Sequence, residues 1–460
     1  MNLSLLSKKE LITILQAVLA RNEALSKQVV QLVGRVEELE QRVIELQAKK
    51  NSTNSSIPPS QDQNKVQRNQ SLRKKSTRSK GGQKGHKGYT LEIAQTPDKT
   101  IDHVPKFCLQ CGEDLEPLSS ICAERRQVVD IPPISPIYTE HRAYRKTCQC
   151  GYVTKSNFPT NVKAPIQYGA GVESLAAYFS ARQYLPYRRM KECFQDLFGV
   201  SISEGSLVSA VRRMAHKSLP IYRRIKQNII HSPVVGADET GAKINGKKAW
   251  FWTWQDTKNT FITVSHTRGF AHIKQLFPQG LTNSILVSDC WAAQLKTPAA
   301  GHQLCMAHLQ RELNFFIELY DDRWAKDLKK LLLLAQQFKS EISDYNKENF
   351  KRIQLESQLE KLLAYDIDKQ PIKIKPFQKR LIKYKNYLFP FLYHQGVPAD
   401  NNASERAIRN VKVKQKISGQ FLNQNNATDF AIIRSLIDTA IKNGANIFNS
   451  LKLVANLAPE

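Results

Sequence analysis

No apolar run in this 460-residue chain approaches the roughly 18 residues that a membrane span requires. The opening MNLSLLSKKELITILQ carries charges inside its apolar stretch, so no signal peptide is expected there either. Acid is scarce: 41 Asp and Glu stand against 68 Lys and Arg, leaving a formal net charge of +27. The isoelectric point is about 9.7. A balance this basic favours a polyanionic partner, nucleic acid ahead of an anionic membrane. A secreted disulfide framework is missing as well. Of eight cysteines, Cys122, Cys193, Cys290 and Cys305 are scattered, while Cys108, Cys111, Cys148 and Cys150 form two close pairs. That usage fits a cytosolic metal site. What the chain does have is length, enough for roughly two to four domains rather than one core.

Residues 1–48 are expected to form a coiled coil. Leu11, Val18, Leu25, Leu32, Leu39 and Leu46 recur at every seventh position, and Leu15, Asn22, Val29, Val36 and Val43 fill the position four after. Leucine at d, valine at a and a single Asn at a favour a parallel homodimer of fixed register, with Arg35 and Glu40 spaced as an interhelical ion pair. Residues 49–90 read as a disordered linker and basic arm. NSTNSSIPPSQDQNK is almost free of apolar side chains. Arg68, Arg73, Lys74, Lys75, Arg78, Lys80, Lys84 and Lys87 then follow without one acid between them. Such an arm neutralises phosphates with steep salt dependence and little sequence preference.

Residues 91–160 read as a zinc ribbon. Cys108-Leu-Gln-Cys111-Gly and Cys148-Gln-Cys150-Gly supply four thiolates, the ligand set of one tetrahedral structural Zn²⁺. Between them, strands are expected at 127–131 and 137–146. Residues 165–230 form a helical region that resembles a helix-turn-helix: a helix at 187–197, a turn at Phe198-Gly199-Val200, and a helix at 203–214 with Ser203 as N-cap. Used as a recognition helix, the second would turn Glu204, Ser206, Ser209 or Arg212 towards DNA. The same pattern fits an ordinary helical hairpin in a core.

From residue 231 the texture becomes β. VVGAD, KKAWFWTW and TFITVSH are short strand-like runs, and Asn245-Gly246 between the first two is a hairpin signal. A short helix at 270–278, a strand at 284–288 and a strand near 303–306 complete residues 231–308. Three antiparallel strands, a helix and then a parallel strand is the order of a ribonuclease-H-like α/β core. In that order Asp238 ends the first strand and Asp289 the fourth, so two carboxylates lie side by side. Glu239 follows Asp238 directly, but on a strand it points to the opposite face. Residues 309–398 are Leu- and Lys-rich and read as a helical insertion. Residues 399–425 return to the core with a helix capped by Asp400 or Asn401, and residues 426–460 form a C-terminal helical region. On the helix, Glu405 shares a face with Arg409 and Lys412, the ordinary setting of a surface acid pairing with nearby cations. Two strand-end aspartates and a helical glutamate are the inventory for holding two divalent cations beside a phosphodiester.

Taken together, SSIPPS with GGQKGHKG, CLQC and CQCG, LPYRRM, GADET, SDCWAA, GHQLCMAHLQREL and DNNASERAIRNVKVKQKISGQF run collinearly through nearly the whole chain. In this combination the chain resembles the DDE transposases of the insertion sequence 66 family. The resemblance implies a multidomain α+β protein: coiled coil, zinc ribbon, helical DNA-binding region and ribonuclease-H-like core with a helical insertion. It implies Asp238, Asp289 and Glu405 as the catalytic triad, holding two Mg²⁺ (or Mn²⁺) per active site. The expected partners are the terminal repeats of the element and its target DNA, with small companion proteins of the same element, in the bacterial cytoplasm at the nucleoid. DNA contact is expected from Arg73, Lys74, Lys75, Arg78, Lys80, Lys84, Lys87, Arg212, Arg406, Arg409, Lys412, Lys414 and Lys416, positioning without specifying sequence. His308 and Arg311, three apart in CMAHLQREL, are candidate phosphate contacts. Two other readings use the same residues: a catalytically inactive DNA-binding regulator, and a structure-specific nuclease on the same fold.

Overall fold

The computed structural model describes residues 7–47, 50–51, 54–55, 91–345 and 349–457. The basic arm from Arg73 to Lys87 lies outside the described residues. The chain divides into two compact units, one of Met1–Val66, Thr139–Asp196 and Val200–Glu460, the other of Gln67–Tyr138 with Leu197–Gly199.

The second unit carries the first cysteine knuckle. An isolated antiparallel bridge joins Phe107 to Asp114 around it. Gly112, at φ +77°, donates its N–H to the Cys108 carbonyl, a turn that a side chain would strain. The strand expected at 127–131 does not form; Gln127 instead exchanges two 2.8 Å hydrogen bonds with the backbone of Ala94.

In the first unit the sequence begins with α1 (Lys8–Gln47), one continuous helix. The ribbon expected between the knuckles is found around the second one: β1 (Arg145–Thr147) pairs antiparallel with β2 (Val153–Lys155). The turn carries Cys148 and Cys150 and closes at Gly151, φ +84°. The strand expected at 137–146 is thus cut to its last residues, because its partner is the chain beyond the cysteines.

Four helices follow: α2 (Ala170–Ala181), α3 (Tyr187–Phe198), α4 (Glu204–Lys217) and α5 (Leu219–Ile230). The Ser203 side chain caps α4 by accepting from the Ser206 N–H at 3.0 Å. Leu207, Ala210, Val211, Met214 and Ala215 form the buried stripe of α4. It packs on α2 and on two C-terminal helices, α13 (Gln424–Lys442) and α14 (Ile447–Ala455).

The sheet contains β3 (Val234–Ile244), β4 (Lys247–Gln255), β5 (Thr260–Ser265), β6 (Leu281–Ser288) and β7 (Ala299–Leu304), ordered β5-β4-β3-β6-β7. β4 runs antiparallel to both β5 and β3, while β6 and β7 run parallel to β3. Asn245 and Gly246 turn the first hairpin, both with positive φ as a two-residue turn of this hand requires. β4 is apolar on both faces, and both are covered. Trp252 and Trp254 meet His272 and Phe277 on the side of α6 (Phe270–Leu276), whereas Phe251 meets Phe421 and Phe430 on the other. α7 (Ala292–Leu295) links β6 to β7.

After β7 come α8 (Met306–Tyr320), α9 (Arg323–Lys339), α10 (Phe350–Leu363) and α11 (Ile374–Lys383), which share one apolar core. The chain then returns to the sheet as α12 (Asn402–Ser418), packed on β3 and β4.

Candidate active site

Asp238 does not end its strand. β3 continues six residues further, to Ile244, in the hairpin with β4. What ends near Asp238 is the pairing with β6, whose last register pair is Gly236 with Val287. Two residues beyond that pair, Asp238 stands level with Asp289, the first residue past β6. In the ladder with β4, Asp238 faces Thr253 and Glu239 faces Trp252. Alternation therefore sends Asp238 to the face covered by α12 and Glu239 to the other. There Glu239 is engaged: Arg268 donates to it from Nε at 2.9 Å and Nη2 at 2.6 Å, and Gln294 donates at 2.7 Å.

α12 delivers Glu405 from its first turn. Asn401 holds that end in place. Its Nδ2 donates to the Ala237 carbonyl at 2.6 Å and its N–H to Cys305 Sγ at 3.2 Å. Its side chain is therefore spent on the sheet rather than on capping the helix. Asp400 accepts instead from the Asn402 N–H at 3.0 Å. Gly236 makes the approach possible: a Cβ there would stand 2.5 Å from Ser404 Oγ and 2.9 Å from Asn401 Oδ1.

α8 completes the cluster from its first turns. His308 Nδ1 lies 2.8 Å from Asp289 Oδ1 and 3.7 Å from Glu405 Oε1. Arg311 donates to Glu405 Oε1 at 3.0 Å. Glu405 thus takes its cation from a residue far back in the chain, not from Arg409 or Lys412 on its own helix. Burial, the Asp289 charge and the Glu239 charge push the Asp238 carboxyl well above the usual range, with His308 opposing. Burial works against a charged His308 ring, but Asp289 and Cys305 beside it outweigh that, and its pKa is pushed up to about 11. Asp289 Oδ1 and His308 Nδ1 are both sealed from solvent, and neither makes an aligned hydrogen bond among the described residues. A crowd of carboxylates, one of them reluctant to ionise, fits a divalent cation as its missing partner.

The other expected site residues fall into two groups. Arg406, Arg409 and Lys416 are exposed along one face of α12. Lys412 is half-buried and donates to the Gly241 carbonyl, and Lys414 is buried, its pKa lowered to about 8 by desolvation. Arg212 sits 3.6 Å from Asp429 of α13. In the knuckles, the first thiol of each pair is met by backbone N–H groups of its own turn. Those of Cys111 and Gln110 lower Cys108, and that of Cys150 lowers Cys148, as metal-binding thiolates require. Cys108 and Cys111 belong to one compact unit, Cys148 and Cys150 to the other.

Two residues of the site escaped sequence reasoning. Cys305 was legible only as one of four scattered cysteines, although Cys-x-x-His at the head of a helix was available as a signal. Asn401 read as a helix cap.

Known proteins share much of this chain. The profile described as "Transposase IS66 family" matches residues 165–429, more than half of the chain. The "zinc-finger binding domain of transposase IS66" matches residues 105–151, and a family of unknown function matches residues 8–92. The uncharacterized protein y4jD of Sinorhizobium fredii is 23% identical over 402 residues, which cover 76% of this chain and 77% of that one.

Proposed function

The chain belongs to the IS66 transposase family, and from that premise we propose that it binds the ends of its insertion sequence and cuts and rejoins DNA strands by DDE chemistry. One observation carries the chemistry: the charge of Asp289, at the end of β6, acts on Asp238 of β3, and His308 joins Asp289 to Glu405 of α12, which also holds Arg311. The strand order, with its parallel pair and its helical excursion before α12, supports a ribonuclease-H-like core. When bound, two Mg²⁺ or Mn²⁺ ions at Asp238, Asp289 and Glu405 would activate the attacking oxygen and stabilise the leaving one.

The chain's own residues position the substrate. Arg311 and His308 present cationic groups at the carboxylate cluster, where a scissile phosphate needs donors. Arg406, Arg409 and Lys416 offer an exposed basic stripe that steers the backbone across the site without reading bases. The zinc-finger match over residues 105–151 supports structural Zn²⁺ binding, for which that stretch offers the thiols Cys108, Cys111, Cys148 and Cys150. The arm from Arg73 to Lys87 adds phosphate contacts, and α1 pairs with its copy in a dimer. Action on the element's own DNA places the protein at the nucleoid, with companion proteins of the element as further partners. Among the described residues no helix is long and apolar enough to cross a membrane.

The test is a cleavage and strand-joining assay on element-end DNA with Mg²⁺. Glu405→Gln should lose both reactions by about 10³-fold or more while end binding stays within about two-fold of wild type. Wild-type activity in that variant would remove Glu405 from the chemistry, and cleavage without joining would point to a nuclease.

A further inference from the structure

We propose that Asp289, Cys305 and His308 form a transition-metal site that takes Zn²⁺ and, in doing so, withdraws Asp289 from magnesium. The ligand atoms of these three residues all lie within 4.8 Å of one another, and theirs is the one such group among the described residues. Two elements fix the three residues. Asp289 leaves β6, Cys305 is the N-cap of α8, and His308 sits one turn into that helix. A tetrahedral zinc needs ligands at roughly 2.0–2.3 Å from the ion, so donors already this close need move little to reach it.

The donor set decides which metal fits. Mg²⁺ takes hard oxygen ligands in octahedral geometry and gains nothing from sulfur. A thiolate, an imidazole nitrogen and a carboxylate together select zinc or its softer neighbours. Cys305 Sγ already accepts the Asn401 N–H at 3.2 Å, an outer contact of the kind that supports a metal-bound thiolate. Asp289 Oδ1 and His308 Nδ1 are buried 2.8 Å apart and have no aligned partner but each other, so a metal entering there exchanges one contact for two ligand bonds. Glu405 Oε1, 3.7 Å from His308 Nδ1, is within reach of the fourth position. Zinc held here would occupy a carboxylate that the magnesium chemistry requires. The inhibition rests on the proposed role of Asp289; the binding does not.

The experiment uses full-length protein whose knuckles are saturated with Zn²⁺, titrated with Co²⁺ and followed by absorption. Wild type should develop a thiolate-to-cobalt charge-transfer band beyond any that Cys305→Ser shows, and His308→Gln should weaken the cobalt affinity by about ten-fold or more. Identical bands in wild type and Cys305→Ser would overturn the site. Should Cys305→Ser fail to fold by circular dichroism, unchanged cobalt affinity in His308→Gln overturns it instead. Zinc should then inhibit magnesium-dependent cleavage, with the half-inhibiting concentration raised about ten-fold in Cys305→Ser. Cobalt binding at Cys305 without zinc inhibition would uphold the site and remove Asp289 from the magnesium chemistry.

Discussion

The Asp238 and His308 pKa values are raised for opposite reasons. Asp238 is buried among like charges, from Asp289 and Glu239, so its neutral form is favoured. His308 is buried too, but the carboxylate beside it favours the charged ring, up to about 11. Both shifts have the same sign in linkage: the metal-free folded state binds more protons than the unfolded chain. The His308 contribution is fully present below its unfolded value of about 6.5 and is lost as pH rises towards the folded one. The Asp238 contribution is likewise lost as pH rises, beginning from the ordinary carboxylate range. A bound divalent cation supplies the positive charge that those protons supplied. We therefore expect the melting temperature without magnesium to fall from about pH 6 to about pH 9. The same protein saturated with Mg²⁺ should fall less, with zinc kept constant in both. Calorimetry that finds parallel decreases in the two series would show that no cation enters among these carboxylates.

At the scale of elements, the docking of α12 on β3 assembles the site. Its contact is unusually close because Gly236 presents no side chain to Ser404 and Asn401, both buried. Gly236→Ala would press a methyl group into them and push the helix outward. Overpacking of this kind costs roughly 1–3 kcal/mol, but the larger effect belongs to geometry. A displacement near 1 Å of Glu405 from the two aspartates should lower cleavage by about 10²-fold while the fold persists. Cleavage within about two-fold of wild type in Gly236→Ala would mean the helix does not need this approach. Local signals made several elements legible in the sequence. The Asn245-Gly246 turn, the buried stripe of α4 and its Ser203 cap all depend on residues within a few positions of one another. Long-range features carried no such signal. Arg311 meets Glu405 across the helical insertion, 94 residues away in sequence. Lys412 and Lys414 had the charge of surface residues, and only the packing of α12 on the sheet buries them. β3 runs past Asp238 because β4 pairs with it, even though DETGAK lacks an apolar alternation.

At the scale of the whole molecule, α1 poses a question of unburied surface. This 40-residue helix is about 60 Å long. Its heptad positions face water: Leu15 is 65% exposed, Leu32 62%, and Leu11, Val18, Leu25, Val29, Val36 and Leu39 are exposed as well. A helix of this length with an apolar seam gains little from solvent, and most helical stability comes from burying such a face. A second copy in register would cover it, leucine against leucine at d and valine against valine at a, with Asn22 fixing the register. Pairing has a functional consequence through the arm. In the proposed dimer, two chains joined at α1 would bring two basic arms and two carboxylate clusters to one DNA complex, which would suit a reaction on two element ends. Linking them raises the effective concentration of the second end without any new contact. Removing residues 1–48 should therefore convert a dimer to a monomer by light scattering. End binding by the truncated protein should weaken and lose cooperativity, while cleavage of one end at saturating protein persists. An unchanged mass after truncation would mean that the apolar seam of α1 serves something other than a second copy of the chain.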